Sequence, residues 1–242
     1  MSRSVRLLIV CLAVAWHVLA MATMWPKALK ADHARDFASY YYAADVVRDG
    51  GDPYDRALLE RTAHADRTRS MVYPYLYPPP FLFAVSWAPS FSLKTAYLAW
   101  FWFNEVALAL AVAALARWWR KLPGEPTLVL LGVVALATAV PNNHWMGQAN
   151  LPVMALALAG LWQDHEERSW LGGVLLGLAV VLKGSPAILV LWWVLRGRWK
   201  AVLSAGLTGA VALTASVLVF GWLPMQSFLF DVLPTMRSGY YN

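Results

Sequence analysis

Residues 94–121 read KTAYLAWFWFNEVALALAVAALARWWRK, and this stretch sets the fold class. From about 94 to 117 it is apolar apart from Asn104 and Glu105, long enough to cross a hydrocarbon core of about 30 Å as a helix. It then closes on Arg117, Arg120 and Lys121, a cluster that marks a cytoplasmic membrane end. Glu105 is costly at that depth unless it is paired or faces a cavity. The composition agrees: 60% hydrophobic and 14% charged residues, with mean hydropathy +0.49 over 242 residues, are too apolar for an ordinary soluble domain. The expected class is all-α, a polytopic membrane protein with about seven transmembrane helices and amphipathic surface helices in its first extracytoplasmic loop.

Working outward under the positive-inside rule gives one consistent path. A first helix (about 5–25) follows Arg3 and Arg6 and runs outward. Its basic start and Ala20-Met21-Ala22 imitate a signal peptide, but the run from Val5 to Trp25 is long enough to span. A loop over 26–92 stays outside, and the 94–117 helix returns. A third helix (about 126–141) leads out to Pro141-Asn142-Asn143-His144, and a fourth (about 149–163) comes back to Asp164–Arg168. Helices at about 170–183 and 186–196 form a short pair hinged at Lys183-Gly184-Ser185-Pro186. A seventh (about 200–222) ends outside, where residues 223–242 remain. The whole is one membrane domain, 1–242, with helices two to seven in 93–222. Pro80–Phe91 is apolar but too short to cross and is expected to be re-entrant or surface-lying.

The net charge of +6 sits in short clusters between apolar runs (Arg3/Arg6, Arg117/Arg120/Lys121, Arg196/Arg198/Lys200). These are topology determinants, and no nucleic-acid signature accompanies them. Cys11 is the single cysteine and lies in an apolar helix, which excludes disulfides and cysteine metal sites. The 14 Trp residues suit interfacial anchoring of helix ends.

The loop carries most of the polar chemistry. It opens with Asp36-Phe37, passes through Asp52-Pro53-Tyr54 and closes with Tyr73-Pro74-Tyr75-Leu76-Tyr77-Pro78-Pro79-Pro80. Phe37, Tyr40, Tyr41, Ala44 and Val47 recur at helical spacing with Asp45, Arg48 and Asp49 opposite, which predicts an amphipathic helix on the membrane surface, stopped by Gly50-Gly51. Asp55–Arg69 is expected to form a second.

Several residues carry two readings. Asp36 is either an N-cap or a carboxylate base at the membrane boundary, and one residue can do both. Asp32, Asp45, Asp49, Asp52 and Asp55 read as solvated faces, caps or turn formers. Lys183 is a snorkelling lysine or a point charge for a phosphate. Gly147-Gln148-Ala149-Asn150 is a polar turn whose amides either bond sugar hydroxyls or cap the next helix through Asn150. His144 beside it reads as a structural loop histidine. No Ser/His/Asp order, phosphate-cradling glycine loop or metal-spaced His cluster is present.

In order, Asp36-Phe37, Gly51-Asp52-Pro53-Tyr54, Tyr77-Pro78-Pro79, Gly147-Gln148-Ala149-Asn150 and Lys183-Gly184-Ser185-Pro186 resemble glycosyltransferase family 87, integral-membrane enzymes of the C-type superfamily, over about residues 30–242. The resemblance implies an inverting transfer of a hexose, mannose first, from a polyprenyl-phosphate sugar to a glycolipid or glycan outside the cytoplasmic membrane. It assigns Asp36 as the base; Lys183, Gln148, Asn150, Tyr77 and Tyr54 are expected to bind substrate around it. Neither metal nor cofactor is implied. Family members carry further helices and a polar motif after the seventh, so the chain is expected to be the N-terminal part of a longer protein. The alternatives are a lipid-linked-sugar transporter and an inactive part of a membrane complex.

Overall fold

The computed structural model describes residues 3–28, 35–66, 72–119 and 139–236. Every regular element among them is helical. The longer helices are α1 (Arg3–Ala28), α2 (Arg35–Arg48), α3 (Arg56–Ala65), α4 (Leu93–Trp119), α5 (Ala139–Met146), α6 (Asn150–His165), α7 (Ser169–Leu182), α8 (Ala187–Leu195) and α9 (Trp199–Phe220). After α9 the chain turns back through Trp222–Ser227, a single π turn at Phe228–Val232, and Leu233–Met236.

Among the described residues, two helical stretches are long and apolar enough to cross a bilayer, Leu93–Leu115 and Trp199–Phe220. The expected seven spans are therefore not reproduced as seven full-length helices. With 16, 14 and 9 residues, α6, α7 and α8 fall short of the roughly 20 that a simple crossing needs. Their ends nonetheless fall within a few residues of the sequence expectation. Residues 126–138 of the expected third helix lie outside the described residues. Its outer end, expected at about 141, needs correction: Pro141–His144 belong to α5, and the chain reverses only at Gly147, where φ is +68°.

The long helices form a row in which α7 packs against α6 and α9, and α6 against α4. Small residues permit the close approach. A Cβ on Gly173 would lie 2.4 Å from the Ala201 carbonyl oxygen, and one on Gly160 would lie 2.9 Å from that of Gly172. Large apolar side chains point away from the row, including Trp102, Val106 and Leu110 on α4 and Leu207, Val211 and Leu218 on α9, all more than half exposed. Contiguous apolar faces of this kind suit lipid contact rather than water.

At one end of the row sits a packed cap, and here α2 departs from the expected surface helix. Phe37 through Ala44 are all buried, Ser39 included, so no broad polar face is left; Asp45 and Arg48 occupy only the last turn, and Asp49 follows it. The reason is that α2 is covered on several sides, by α3, by the short helical turns Pro79–Phe81, Leu82–Val85 and Ala88–Ser90, and by α4 and α5. Those three turns are what Pro80–Phe91 forms. An aromatic cluster fills the cap: Tyr40 meets Tyr77 and Phe81 edge-on at 4.9 Å each, and Phe37 lies 5.7 Å from Trp100. Burying each such side chain contributes about 1.5–3 kcal/mol. The second loop helix is shorter than expected. Asp55 caps it by accepting from the Leu58 N–H, it ends at Ala65, and residues 67–69 lie outside the described residues.

The opposite end of the row holds Asp164, Arg168, Arg196, Arg198 and Lys200. Arg198, expected from the sequence as a topology determinant, has a packing role there: it grips Asp164 through Nε (3.0 Å to Oδ2) and Nη2 (2.9 Å to Oδ1), tying the α6–α7 turn to the start of α9.

Candidate active site

The cap encloses a cavity of about 360 Å³ lined by Asp36, Ser39, Tyr40, Tyr73, Leu76 and Tyr77 among others. That lies within the usual range of small-molecule sites, about 300–1,000 Å³. Asp36 stands in the first turn of α2, where free backbone N–H groups and the helix dipole favour an anion. The cap reading of this residue is thus compatible with the geometry, but the carboxylate has a second set of partners. Gln148 donates to it and Lys183 faces it. Burial pushes its pKa up and prevails over these two opposing influences, so the carboxyl titrates above its ordinary value.

Four of the residues expected at the site belong to one hydrogen-bonded chain. Lys183 Nζ donates to Asn150 Oδ1 (2.5 Å), Asn150 Nδ2 donates to Gln148 Oε1 (2.7 Å), and the Gln148 amide donates to Asp36. Every donor in this relay points from the cation towards the carboxylate. Asn150 therefore does not cap α6; the residue at that position is Ala149, which offers no side-chain bond. Lys183 sits in extended backbone just past α7, with its ammonium 5.6 Å from the centre of the Tyr77 ring.

Tyr77 borders both the lysine and the cavity. Its hydroxyl oxygen accepts from Tyr40 (2.8 Å) and from the Ala149 N–H, which leaves its own proton to donate. Burial pushes that phenol up to about 12, so it remains a donor at neutral pH. Tyr54 is placed differently. It does not line the cavity, and its hydroxyl donates to the Tyr77 carbonyl at 2.7 Å. It braces the Tyr-Pro-Pro segment, with Asp52 holding the Tyr54 N–H (3.0 Å) and accepting from Ser227 (2.6 Å) in the last part of the chain.

The Gly147 turn is held from below. Trp100 Nε1 donates to the Gly147 carbonyl (2.9 Å), the Tyr97 hydroxyl to that of His144 (2.6 Å), and Asn143 Nδ2 to Asn104 Oδ1 (3.0 Å). Glu105 has the partners its depth demands. His17 Nε2 lies 3.0 Å from Oε2, and His144 Nε2 lies 2.9 Å from Oε1 in a close contact poorly aligned for a hydrogen bond. His144 is fully buried inside α5 and donates from Nδ1 to the Val140 carbonyl, so it is a core histidine rather than a loop one.

A second space, about 450 Å³ and overwhelmingly apolar, runs between α4, α6 and α7. Phe81, Ala149 and Leu182 line it near Lys183, and Ala113 and Trp162 line it towards the far end. It shares no lining residue with the cavity at Asp36. Sequence reasoning missed this groove and also Ser39, although spacings of three and four from Asp36 place Ser39 and Tyr40 on its helix face.

The model of glycosyltransferase family 87 matches residues 75–241, a stretch that contains Tyr77, Gln148, Asn150 and Lys183 and begins after Asp36. A polyprenol-phosphate-mannose-dependent alpha-(1-2)-phosphatidylinositol pentamannoside mannosyltransferase of Mycolicibacterium smegmatis is 27% identical over 191 residues, covering 77% of this chain and 43% of its own. A polyprenol-phosphate-mannose-dependent alpha-(1-2)-phosphatidylinositol mannoside mannosyltransferase from the same organism is 28% identical over 222 residues, covering 82% of this chain and 48% of its own. Its namesake in Mycobacterium tuberculosis is 30% identical over 206 residues, covering 77% and 45%. The chain thus spans somewhat less than half the length of these relatives. No solved structure matches it.

Proposed function

The chain belongs to glycosyltransferase family 87, and on that premise we propose that it takes part in transfer of a hexose, mannose first, from a polyprenyl-phosphate sugar to a glycolipid or glycan. The relatives above carry polyprenol-phosphate mannose as donor and phosphatidylinositol mannosides as acceptors in their names; the extension of both to this chain is part of the proposal. The observation that carries it is the relay from Lys183 to Asp36. A cation and a carboxylate are joined by two amides; the carboxylate lines the cavity, and Leu182 and Ala149, which adjoin Lys183 and Asn150 in the chain, line the apolar groove.

Asp36 accepts the proton of the acceptor hydroxyl as its oxygen bonds the anomeric carbon. The bond from that carbon to the phosphate oxygen breaks on the opposite face, and the lipid phosphate departs with the electron pair, inverting the centre. Burial raises the Asp36 pKa, which strengthens the carboxylate as a base. Lys183 offsets charge growing on the phosphate. A lipid phosphate leaves without protonation, so the scheme needs no second carboxylate, unlike glycoside hydrolysis, and asks for no metal. The groove beside Lys183 takes the polyprenyl chain, whose lack of polarity matches its lining. Tyr54 acts here as a brace for Tyr77 rather than as a sugar contact.

In this reading α1, α4 and α9 cross the cytoplasmic membrane, the cap and site face outward, and the basic end with Arg198 faces inward by the positive-inside rule. The shorter helices complete the bundle alongside them. The test is donor identity and stereochemistry. Membranes expressing the chain should yield labelled product from polyprenyl-phosphate mannose and none from a nucleotide sugar, with the new bond of the opposite anomeric configuration to the donor. Retention of configuration contradicts the single-displacement scheme.

A further inference from the structure

The wall of the cavity beside Asp36 includes a polar side chain that lies outside the relay and has no partner among the described residues. Ser39 is one turn on from Asp36 along α2, lines the cavity, and is only 2% exposed. A serine within a helix commonly returns its hydroxyl to a carbonyl three or four residues back. Ser39 Oγ makes no hydrogen bond among the described residues. The neighbouring hydroxyls differ in this respect, because Tyr40 and Tyr77 bond one another. A buried hydroxyl without a partner costs free energy that a bound hydroxyl would restore.

The two spaces divide the reactants. The groove is apolar, reaches Leu182 beside the cationic Lys183, and suits a lipid phosphate. The cavity is separate from it, has a carboxylate in its wall, and is flanked by tyrosine rings that can cover a pyranose face. In-line displacement puts the attacking hydroxyl opposite the leaving phosphate, so the base travels with the acceptor.

We propose that the cavity at Asp36 is the acceptor-sugar subsite, taking a pyranose with adjacent free hydroxyls, and that Ser39 Oγ binds the hydroxyl next to the one Asp36 deprotonates. This rests on the transferase reading above. Ser39 is then a residue that selects and orients the acceptor, distinct from the donor contacts made by Lys183.

The test compares the parent chain with Ser39→Ala, which removes one oxygen and leaves no clash. Acceptor KM should rise about tenfold, the loss expected for one hydrogen bond, with donor KM unchanged. The melting temperature should stay level or rise, because the removed hydroxyl had no partner in the protein. A purely structural serine would shift melting and leave the KM values alone. An acceptor KM within twofold of the parent, or a rise confined to donor KM, overturns the proposal. A parent without any transfer counts against the transferase reading instead. Saturation-transfer NMR with methyl α-mannopyranoside then decides the subsite. A signal in the parent that is lost in Ser39→Ala upholds it, and equal signals, or none in either protein, overturn it.

Discussion

Gly147→Ala is the sharpest probe of how the turn after α5 holds the relay. Gly147 has φ +68°, a left-handed conformation that costs an L residue about 1–2 kcal/mol. A methyl there would also lie 2.6 Å from Phe37 Cβ and 3.2 Å from Tyr97 Cε2. Carbon atoms in contact prefer about 3.5–4.0 Å, so the turn and α2 must part by about 1 Å. Overpacking of this kind costs roughly a further 1–3 kcal/mol, giving about 2–5 kcal/mol in all. Phe37 adjoins Asp36 and Gly147 adjoins Gln148, so the same displacement opens the amide–carboxylate bond beyond hydrogen-bonding reach. A misplacement near 1 Å costs on the order of 100-fold in rate. The assay is transfer per folded molecule in membranes, with melting in detergent alongside. Gly50→Ala is the control: its φ is +77° but a methyl there meets nothing within 4 Å, so it should lose about 1–2 kcal/mol and keep full transfer. Equal transfer by Gly147→Ala and the parent would refute the idea that this turn positions Asp36.

Three further outcomes follow from named contacts. With Asp36 as the proposed base, active when ionised, transfer should rise with pH through its elevated pKa and then level off; Lys183→Met, which removes the charge that opposes that elevation, should move the rising limb to higher pH, and a shift to lower pH would contradict the assignment. Gly173→Ala places a methyl 2.4 Å from the Ala201 carbonyl oxygen and should lower stability by about 1–3 kcal/mol, whereas Gly206→Ala, with nothing within 4 Å, should leave stability level or raise it by up to about 1 kcal/mol; the comparison is made by thermal unfolding in detergent. Glu105→Ala leaves His17 and His144 without their carboxylate and should destabilise by somewhat less than the roughly 3–5 kcal/mol of a fully buried pair, since Glu105 keeps 19% side-chain exposure; loss of folded protein on heating reads it.

Much of this architecture is legible in the sequence, and the exceptions have physical reasons. The ends of α4, α6, α7, α8 and α9 follow from apolar run length and from breakers such as Gly147, Lys183-Gly184-Ser185-Pro186 and Gly197. The nature of α2 does not. Its periodicity suggests one apolar face, but alanines and tyrosines on the remaining faces pack equally well once other segments surround it. Periodicity reports one helix at a time, and enclosure depends on segments far along the chain. The candidate site shows the same division. Asp36, Gln148, Asn150 and Lys183 were each identifiable as residue types in motifs. Their ordering into a relay depends on where the α5–α6 turn and the end of α7 meet α2, which no local pattern encodes. Ser227 reaching Asp52 across 175 positions is a plainer case of the same limit. Glu105 lay between these extremes: its depth demanded a partner, but two histidines in other helices could be found only by folding the chain.

The central claim is that Asp36 is the base. Its most direct test is transfer from labelled polyprenyl-phosphate mannose in membranes expressing the chain or its Asp36→Asn variant at matched levels. Asparagine keeps the shape and can still accept from Gln148, but it cannot take a proton. Labelled product from the parent and none from the variant is the predicted result. Equal product from both would remove Asp36 from the chemistry.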